Sequence, residues 1–201
     1  MIHGKAVDHI VKYLIKTKDD GLIFKPTRSK CIEVYADADF CGNWMKETAE
    51  DDVSTAKSRS GYVIAYAGCP IIWASKLQTQ VALSTTEAEY IALSQALRET
   101  IPVMQLLEES KQRKISSYDN NPIVKCKEFE DNSGALELAR TPKIGPRTKH
   151  LNIVYHHFRE HVRKGLIQVL PISTDDQIAD LFTKTLPQNS FLKHRKALLH
   201  F

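Results

Sequence analysis

The 201-residue chain lacks several features that settle a protein's class early. Its four cysteines, Cys31, Cys41, Cys69 and Cys126, include no CxxC pair, which leaves neither a zinc ribbon nor a dithiol redox motif and points to a reducing compartment. No apolar run approaches the roughly 20 residues needed to cross a bilayer. The start, MIHGKAVDHIVKYLIKTKDDG, carries acids and lysines throughout and so has no signal-peptide core. Internal repeats and low-complexity segments are absent. Charge of neither sign dominates: 28 Lys plus Arg against 24 Asp plus Glu give a net +4 and a pI near 8.8, a mild leaning toward polyanions that many soluble proteins share. What remains is ordinary globular composition, 42% hydrophobic and 26% charged, in a length that suits one domain and an appendage.

Periodicity then divides the chain. Residues 5 to 16 set Val7, Ile10, Val11, Leu14 and Ile15 at helical spacing before a stop at KDDG. This short amphipathic helix has nothing of its own to pack on, so it either docks on the domain C-terminal to it or is left over from an upstream unit. CIEVYADADF alternates Ile32, Val34 and Ala36 against Glu33, Tyr35 and Asp37 as a half-buried strand. After a polar loop, GYVIAYAGCPIIWAS gives two more strands punctuated by Gly68, Cys69 and Pro70, completing an antiparallel meander. LSTTEAEYIALSQALRETIPVMQLLEES is a long helix with an apolar stripe of Tyr90, Leu93, Leu97, Ile101 and Met104. IVKCKEFEDN reads as a strand ending in acids, SGALELA as a short helix, RTPKIGPRTK as an irregular basic connection and LNIVYHHFREHVRKG as a helix stopped by Gly165. LIQVLPIS is a strand and TDDQIADLFTKTLP a short helix, acidic at its start and closed by Lys184. From the meander onward the order is β-β-β-α-β-α-α-β-α.

Four carboxylates stand at the boundaries of these elements: Asp37, Glu89, Asp131 and Asp180. The neighbouring Glu87 has a structural job, since Ser84 three residues before it completes the capping-box pattern in which Glu87 reaches back to the N-cap amide. Glu89 has no such duty. Any one boundary Asp is ordinarily a cap or turn residue. Acids that converge in space, however, raise one another's pKa unless a cation lies between them. Mg²⁺ is suited to that place because it binds a few carboxylates, waters and phosphate oxygens. Two such ions roughly 4 Å apart activate a water and stabilise the leaving oxygen in phosphodiester cleavage.

The same segments carry a family resemblance. YADADFCGNW, AKSRSGYVIAYAGCPIIWASK, LSTTEAEYIALSQAL, EFEDNSGALELA, RTKHLNIVYHHFREHV and DDQIADLFTKTLP, in that order, resemble the ribonuclease H domain of copia-type LTR retrotransposon polyproteins. Residues 1 to 24 resemble the end of the preceding reverse-transcriptase region. The resemblance implies an α/β, ribonuclease H-like fold with a mixed five-stranded sheet, three antiparallel strands and then parallel additions, flanked by helices. It divides the chain into a reverse-transcriptase remnant at 1–28, the ribonuclease H-like domain at 29–187 and a helical tail at 188–201. It implies a metal-dependent endoribonuclease that hydrolyses the RNA strand of RNA–DNA hybrids during reverse transcription, with Asp37, Glu89, Asp131 and Asp180 as catalytic residues and ligands of two Mg²⁺ ions, Mn²⁺ being the alternative. Implied partners are the hybrid and the reverse-transcriptase domain of the same polyprotein, with no membrane, in the cytoplasm within a virus-like particle or in the nucleus.

Hybrid binding is expected to be electrostatic and shape-based. Candidate contacts are Lys143, Arg147, Lys149 and His150 in the basic connection and Ser84, Thr86, Asn132 and Ser133 beside the acids, with Asp39 lining the site on the strand face of Asp37. Many members of the broader family carry a His in the loop before the last helix, and LPISTDDQ has none. His157 and His161 lack the further ligands of a zinc site, so the histidines read as satisfied or substrate-facing. Trp44 and Trp73 are expected in the core or the hairpin rather than as base-stacking platforms. Two other readings remain: a catalytically silent ribonuclease H-like module that binds nucleic acid or connects domains of a reverse transcriptase, and a DNA-acting or integrase-like nuclease.

Overall fold

Alternation builds the first strand. In the computed structural model, which describes residues 2–29, 31–47, 52–113, 125–141 and 153–200, β1 runs Ile32–Asp39 with Ile32, Val34 and Ala36 fully buried on one face. It pairs antiparallel with β2 (Arg59–Tyr66), which pairs antiparallel with β3 (Cys69–Leu77). The β2–β3 turn is Ala67–Gly68, both at positive φ (53° and 77°), as a two-residue hairpin turn of the primed kind requires. The turn is therefore shorter than the Gly68–Cys69–Pro70 punctuation predicts. Pro70 lies within β3, on the sheet edge, where a missing N–H is tolerated.

The long helix α2 (Thr85–Gln112) buries Tyr90, Leu93, Leu97 and Met104 against the Ile32–Val34–Ala36 face. Ser84 caps it by accepting from the Glu87 N–H at 3.1 Å. The Glu87 side chain in turn accepts from the N–H of Leu83, one residue before the N-cap, at 2.8 Å. β4 (Cys126–Glu130) then adds to β1 in parallel, and β5 (Ile167–Pro171) adds to β4 in parallel. The result is the expected mixed five-stranded sheet, in the order β3-β2-β1-β4-β5. The remaining helices are α3 (Ser133–Arg140), α4 (Arg159–Arg163) and α5 (Gln188–Leu199).

Two predicted helices are broken. Between 153 and 163 a 3-10 turn, Ile153–His156, precedes the five residues of α4, because Tyr155 and Phe158, three apart, both enter the core. Leu151 lies outside the described residues. Between 174 and 182 two 3-10 turns, Thr174–Asp176 and Ile178–Phe182, flank Gln177, whose buried side chain is drawn into the sheet. Trp44 and Trp73 are both about half exposed, so neither is a core residue, although Trp73 does lie in the hairpin.

The N-terminal helix α1 (Ile2–Lys16) lies beside α5. The Tyr13 ring meets Phe191 edge-on at 6.1 Å, and just beyond the helix Arg195 pairs with Asp20 at 2.5 Å. Its apolar stripe is left uncovered: Val7, Ile10, Leu14 and Ile15 are each more than half exposed.

Candidate active site

Parallel β1 and β4 separate at their C-terminal ends, where open α/β sheets hold ligands. Their pairing stops at Tyr35 and Phe129. The carboxamide of Gln177 enters there, its Nε2 donating to the carbonyls of Ala36 (2.9 Å) and Phe129 (3.2 Å). This bond ties the loop after β5 to the mouth of the split and sets the approach of the segment that carries Asp180.

Asp37, two residues past the end of the parallel pairing, is completely buried. Its neighbour on β2 is Gly61, where a Cβ would come within 2.7 Å of Thr183 Cγ2 and 2.8 Å of Phe182 Cβ. Glycine at 61 therefore lets the 180–184 turn settle on the sheet. From that turn the Thr183 hydroxyl donates to Asp37 Oδ2, and Lys184 Nζ reaches both Asp37 Oδ1 and Asp180 Oδ1 at 2.9 Å.

Asp37, Glu89 and Asp131 form one group, with an oxygen from each carboxylate within 4.8 Å of the others. Each comes from a different element: β1, the first turns of α2, and the residue after β4. Glu89 is buried and its Oε2 has no hydrogen-bond partner. Burial, and then the charges of Asp37, Glu130 and Asp131, push its pKa up to about 10. Asp131, partly exposed, accepts from the Thr174 hydroxyl at 2.8 Å. Asp180 joins through Asp37 and Lys184, and its pKa is raised to about 6 by burial and by Asp37, against the pull of Lys184. Burial opposes the charge on Lys184, but Asp37 and its bonds to both acids outweigh that and raise its pKa above the ordinary value. Behind the group, Glu128 and Glu130 project inward from β4, and burial holds both well above the usual carboxylate range. Neither oxygen of Glu128 has a partner, while Glu130 Oε1 accepts from the Asn132 N–H at 2.9 Å.

The chemistry of this donor set is that of a hard cation site: converging carboxylate oxygens, one of them buried and unpartnered on Glu89, whose ionisation is opposed by burial and by the neighbouring charges. The residues present fit a divalent ion.

Of the acids singled out in the sequence, Asp37, Glu89 and Asp131 meet directly and Asp180 meets them through Asp37, while Glu87 is spent on the helix cap. Asp39 flanks them, partly buried, its pKa raised by burial and by Asp37. Thr86 and Asn132 bring the starts of α2 and α3 together: the Thr86 hydroxyl donates to Asn132 Oδ1 at 3.3 Å, and the same oxygen caps α3 through the Ala135 N–H at 3.0 Å. Gly134 is needed there, since a Cβ would lie 2.6 Å from Thr86 Oγ1. Ser84 and Ser133 are exposed at these two helix starts. Lys143, Arg147, Lys149 and His150 lie outside the described residues. Of the two histidines weighed as zinc ligands, His157 has Nδ1 3.5 Å from Ser94 Oγ on α2, while His161 Nδ1 is buried without a hydrogen-bond partner, so that His161 is not satisfied as expected; the adjacent His156 has Nδ1 2.7 Å from Tyr90 Oη.

Sequence reasoning missed Thr174, Gln177, Thr183, Glu128 and Glu130, and it gave Lys184 only a helix-end role. Lys184 had a signal, its i+4 spacing from Asp180. Thr174 and Gln177 had none, because each bonds a residue more than 40 positions away in sequence.

No protein-family model matches the chain. It is 36% identical over 189 residues to the retrovirus-related Pol polyprotein from transposon TNT 1-94 of Nicotiana tabacum, a match covering 94% of this chain and 13% of that protein. It is 33% identical over 189 residues to the corresponding polyprotein from transposon RE2 of Arabidopsis thaliana, covering 94% and 12%. The chain thus spans about an eighth of the length of these relatives. Among solved structures it is similar to the N-terminal RNase H domain of Rv2228c from Mycobacterium tuberculosis, determined as a fusion with maltose-binding protein. That match has a TM-score of 0.49 and 12% identity, covering 84% of this chain and 99% of the other.

Proposed function

The chain is a relative of the retrovirus-related Pol polyproteins of plant transposons, homologous to them over 94% of its length, and from that premise we propose that it is the ribonuclease H of such a polyprotein. In this reading it is a metal-dependent endoribonuclease that hydrolyses the RNA strand of an RNA–DNA hybrid during reverse transcription, beside the reverse-transcriptase domain of the same polyprotein.

One observation carries the proposal: oxygens of Asp37, Glu89 and Asp131, drawn from three elements, lie within 4.8 Å of one another. These three, with Asp180, would hold Mg²⁺ or Mn²⁺. When bound, the metal supplies an activated water and a counter-charge for the leaving oxygen. The chain's own groups do the rest. Asp37 is fixed by Thr183, Asp131 by Thr174, and the loop bearing Asp180 by Gln177, so the acids are positioned before substrate arrives. Glu89 gives up its proton on joining the charged site. Attack by water oxygen on phosphorus then breaks the P–O3′ bond, leaving a 5′-phosphate and a 3′-hydroxyl. Thr86, Asn132, Ser84 and Ser133 would meet the backbone of the hybrid at the two helix starts, and Lys143, Arg147, Lys149 and His150 its phosphates. The exposed stripe of α1 is the face such a chain would turn to the reverse-transcriptase region.

A second reading has one observation in its favour. Lys184 already places a positive charge between Asp37 and Asp180, as a silent binding or connection module would need in order to keep its acids without metal. Cleavage of a labelled RNA–DNA hybrid in Mg²⁺ by the full chain, beside Asp131→Asn, separates the two. The nuclease cuts hybrid, spares duplex DNA and loses cleavage to background in the variant. Equal cleavage by the two proteins removes Asp131 from the mechanism, and no cleavage by either leaves the silent module.

A further inference from the structure

The turn that delivers Asp180 also delivers its neutralisation. Lys184, four residues on, hydrogen-bonds through its backbone N–H to the Asp180 carbonyl at 3.0 Å and places Nζ 2.9 Å from a carboxylate oxygen of Asp180 and of Asp37. The Asp37 side chain is fully buried and that of Asp180 nearly so, so without this ammonium two adjacent carboxylates would share a dry site with no counter-charge. The other side of Asp37 is different. Toward Glu89 and Asp131 no cation among the described residues is interposed, and Glu89 Oε2 lacks a partner. The cluster is therefore asymmetric, with one half provided with a positive charge and the other without.

We propose that the Lys184 ammonium is the resident cation of the Asp37–Asp180 half of the cluster, so that in the absence of nucleic acid the chain takes up a divalent ion only at the Asp37–Glu89–Asp131 half. The proposal rests on the nuclease reading for the meaning of the site and goes beyond it by assigning Lys184 a role and the two halves an order of filling. An ammonium and a divalent ion compete for the same two carboxylates, and the side chain already on the turn has the advantage of proximity. The advantage is not absolute. The Lys184 side chain is one-third exposed on a flexible four-carbon stem, so the ammonium has a path outward and can exchange Asp37 and Asp180 for a phosphate oxygen of a bound strand. Lys184 is accordingly a positioning residue that keeps the second half closed to metal until nucleic acid is present.

The test is calorimetric titration of the full chain with Mn²⁺ alone, comparing wild type, Lys184→Gln and Lys184→Arg, with circular dichroism to establish that each is folded. Wild type and Lys184→Arg are expected to bind one ion. Lys184→Gln is expected to bind two, the second at least ten-fold more tightly than any further ion taken up by wild type at the same concentrations. Superimposable isotherms for wild type and Lys184→Gln overturn the proposal. Should Lys184→Gln fail to fold without metal, the wild-type chain provides the measurement through its lysine side-chain ¹⁵N signals, with Lys184 assigned by its absence in Lys184→Arg. The Lys184 signal is expected to stay in place through the first equivalent of Mg²⁺ and to move when hybrid is added with further Mg²⁺. Movement with the first equivalent overturns the assignment. Hybrid cleavage, scored separately, keeps the two ideas apart. A wild type that cuts hybrid while Lys184→Gln gains no ion loses only the Lys184 role, and a wild type that cuts nothing while Lys184→Gln gains an ion loses only the nuclease.

Discussion

Glu89 concentrates the electrostatic cost of the site in a single side chain. Its folded pKa near 10 lies above the ordinary 4.5, so the folded chain holds this proton more tightly than the unfolded chain does. Stability is lost as the pH rises through that interval, and the penalty is absent below 4.5, where both states are protonated. Gln is neutral throughout and escapes it. Without divalent metal, Glu89→Gln should melt above wild type in mildly alkaline buffer, with the gap closing as the pH falls toward 4.5. Melting curves that coincide in alkaline buffer would contradict the buried, unpartnered state of this carboxyl. The same proton must leave when a cation enters, so adding Mg²⁺ to a weakly buffered solution should acidify it, and the release should vanish in Glu89→Gln. Thr174 is a quieter case. Thr174→Val removes the hydroxyl that holds Asp131 and should slow hybrid cleavage about 10-fold with little change in melting temperature, as expected for a residue that orients a ligand.

Among the elements, the 178–182 turn depends most on its neighbours. Gly61→Ala puts a methyl 2.7 Å from Thr183 and 2.8 Å from Phe182, so the turn must lift, at a cost of about 1 to 3 kcal/mol and with loss of cleavage through Asp180. Gln177→Leu leaves the carbonyls of Ala36 and Phe129 without this donor, which costs about 1 to 3 kcal/mol per buried acceptor left unpaired. Chemical denaturation of either variant, read beside its cleavage rate, checks both figures. These same elements mark how far the sequence could be read. β1, the hairpin and α2 were legible because their inward residues repeat at period two or at i, i+3/i+4. β4 was legible as a strand but not in its facing. Phe129 draws the eye to one side, yet it stacks on Tyr35 at 4.9 Å, while Glu128 and Glu130 take the buried face. The helix expected over 174–187 dissolved into 3-10 turns because Gln177 bonds to strands that pattern reading cannot bring near. Three of the four acids met directly as expected, and the fourth came attached to a lysine.

Taken whole, the molecule is closed around its sheet and open at α1. Val7, Ile10, Leu14 and Ile15 remain more than half exposed although Tyr13 and Asp20 are held by α5 and its neighbours. Burial there contributes little to the fold of this chain, so Leu14→Glu should change its unfolding free energy by no more than about 0.5 kcal/mol. A larger loss would mean that the stripe is covered in solution. Finally, the partners of Asp37 arrive late: Thr183 and Lys184 stand nearly 150 residues beyond it. Synthesis that has reached only residue 170 has delivered nearly all of the sheet and three of the four acids, yet neither of these partners for the Asp37 charge near the C-terminal end of β1. A nascent chain should therefore stay loosely closed at that strand until the 180–184 turn folds back onto it.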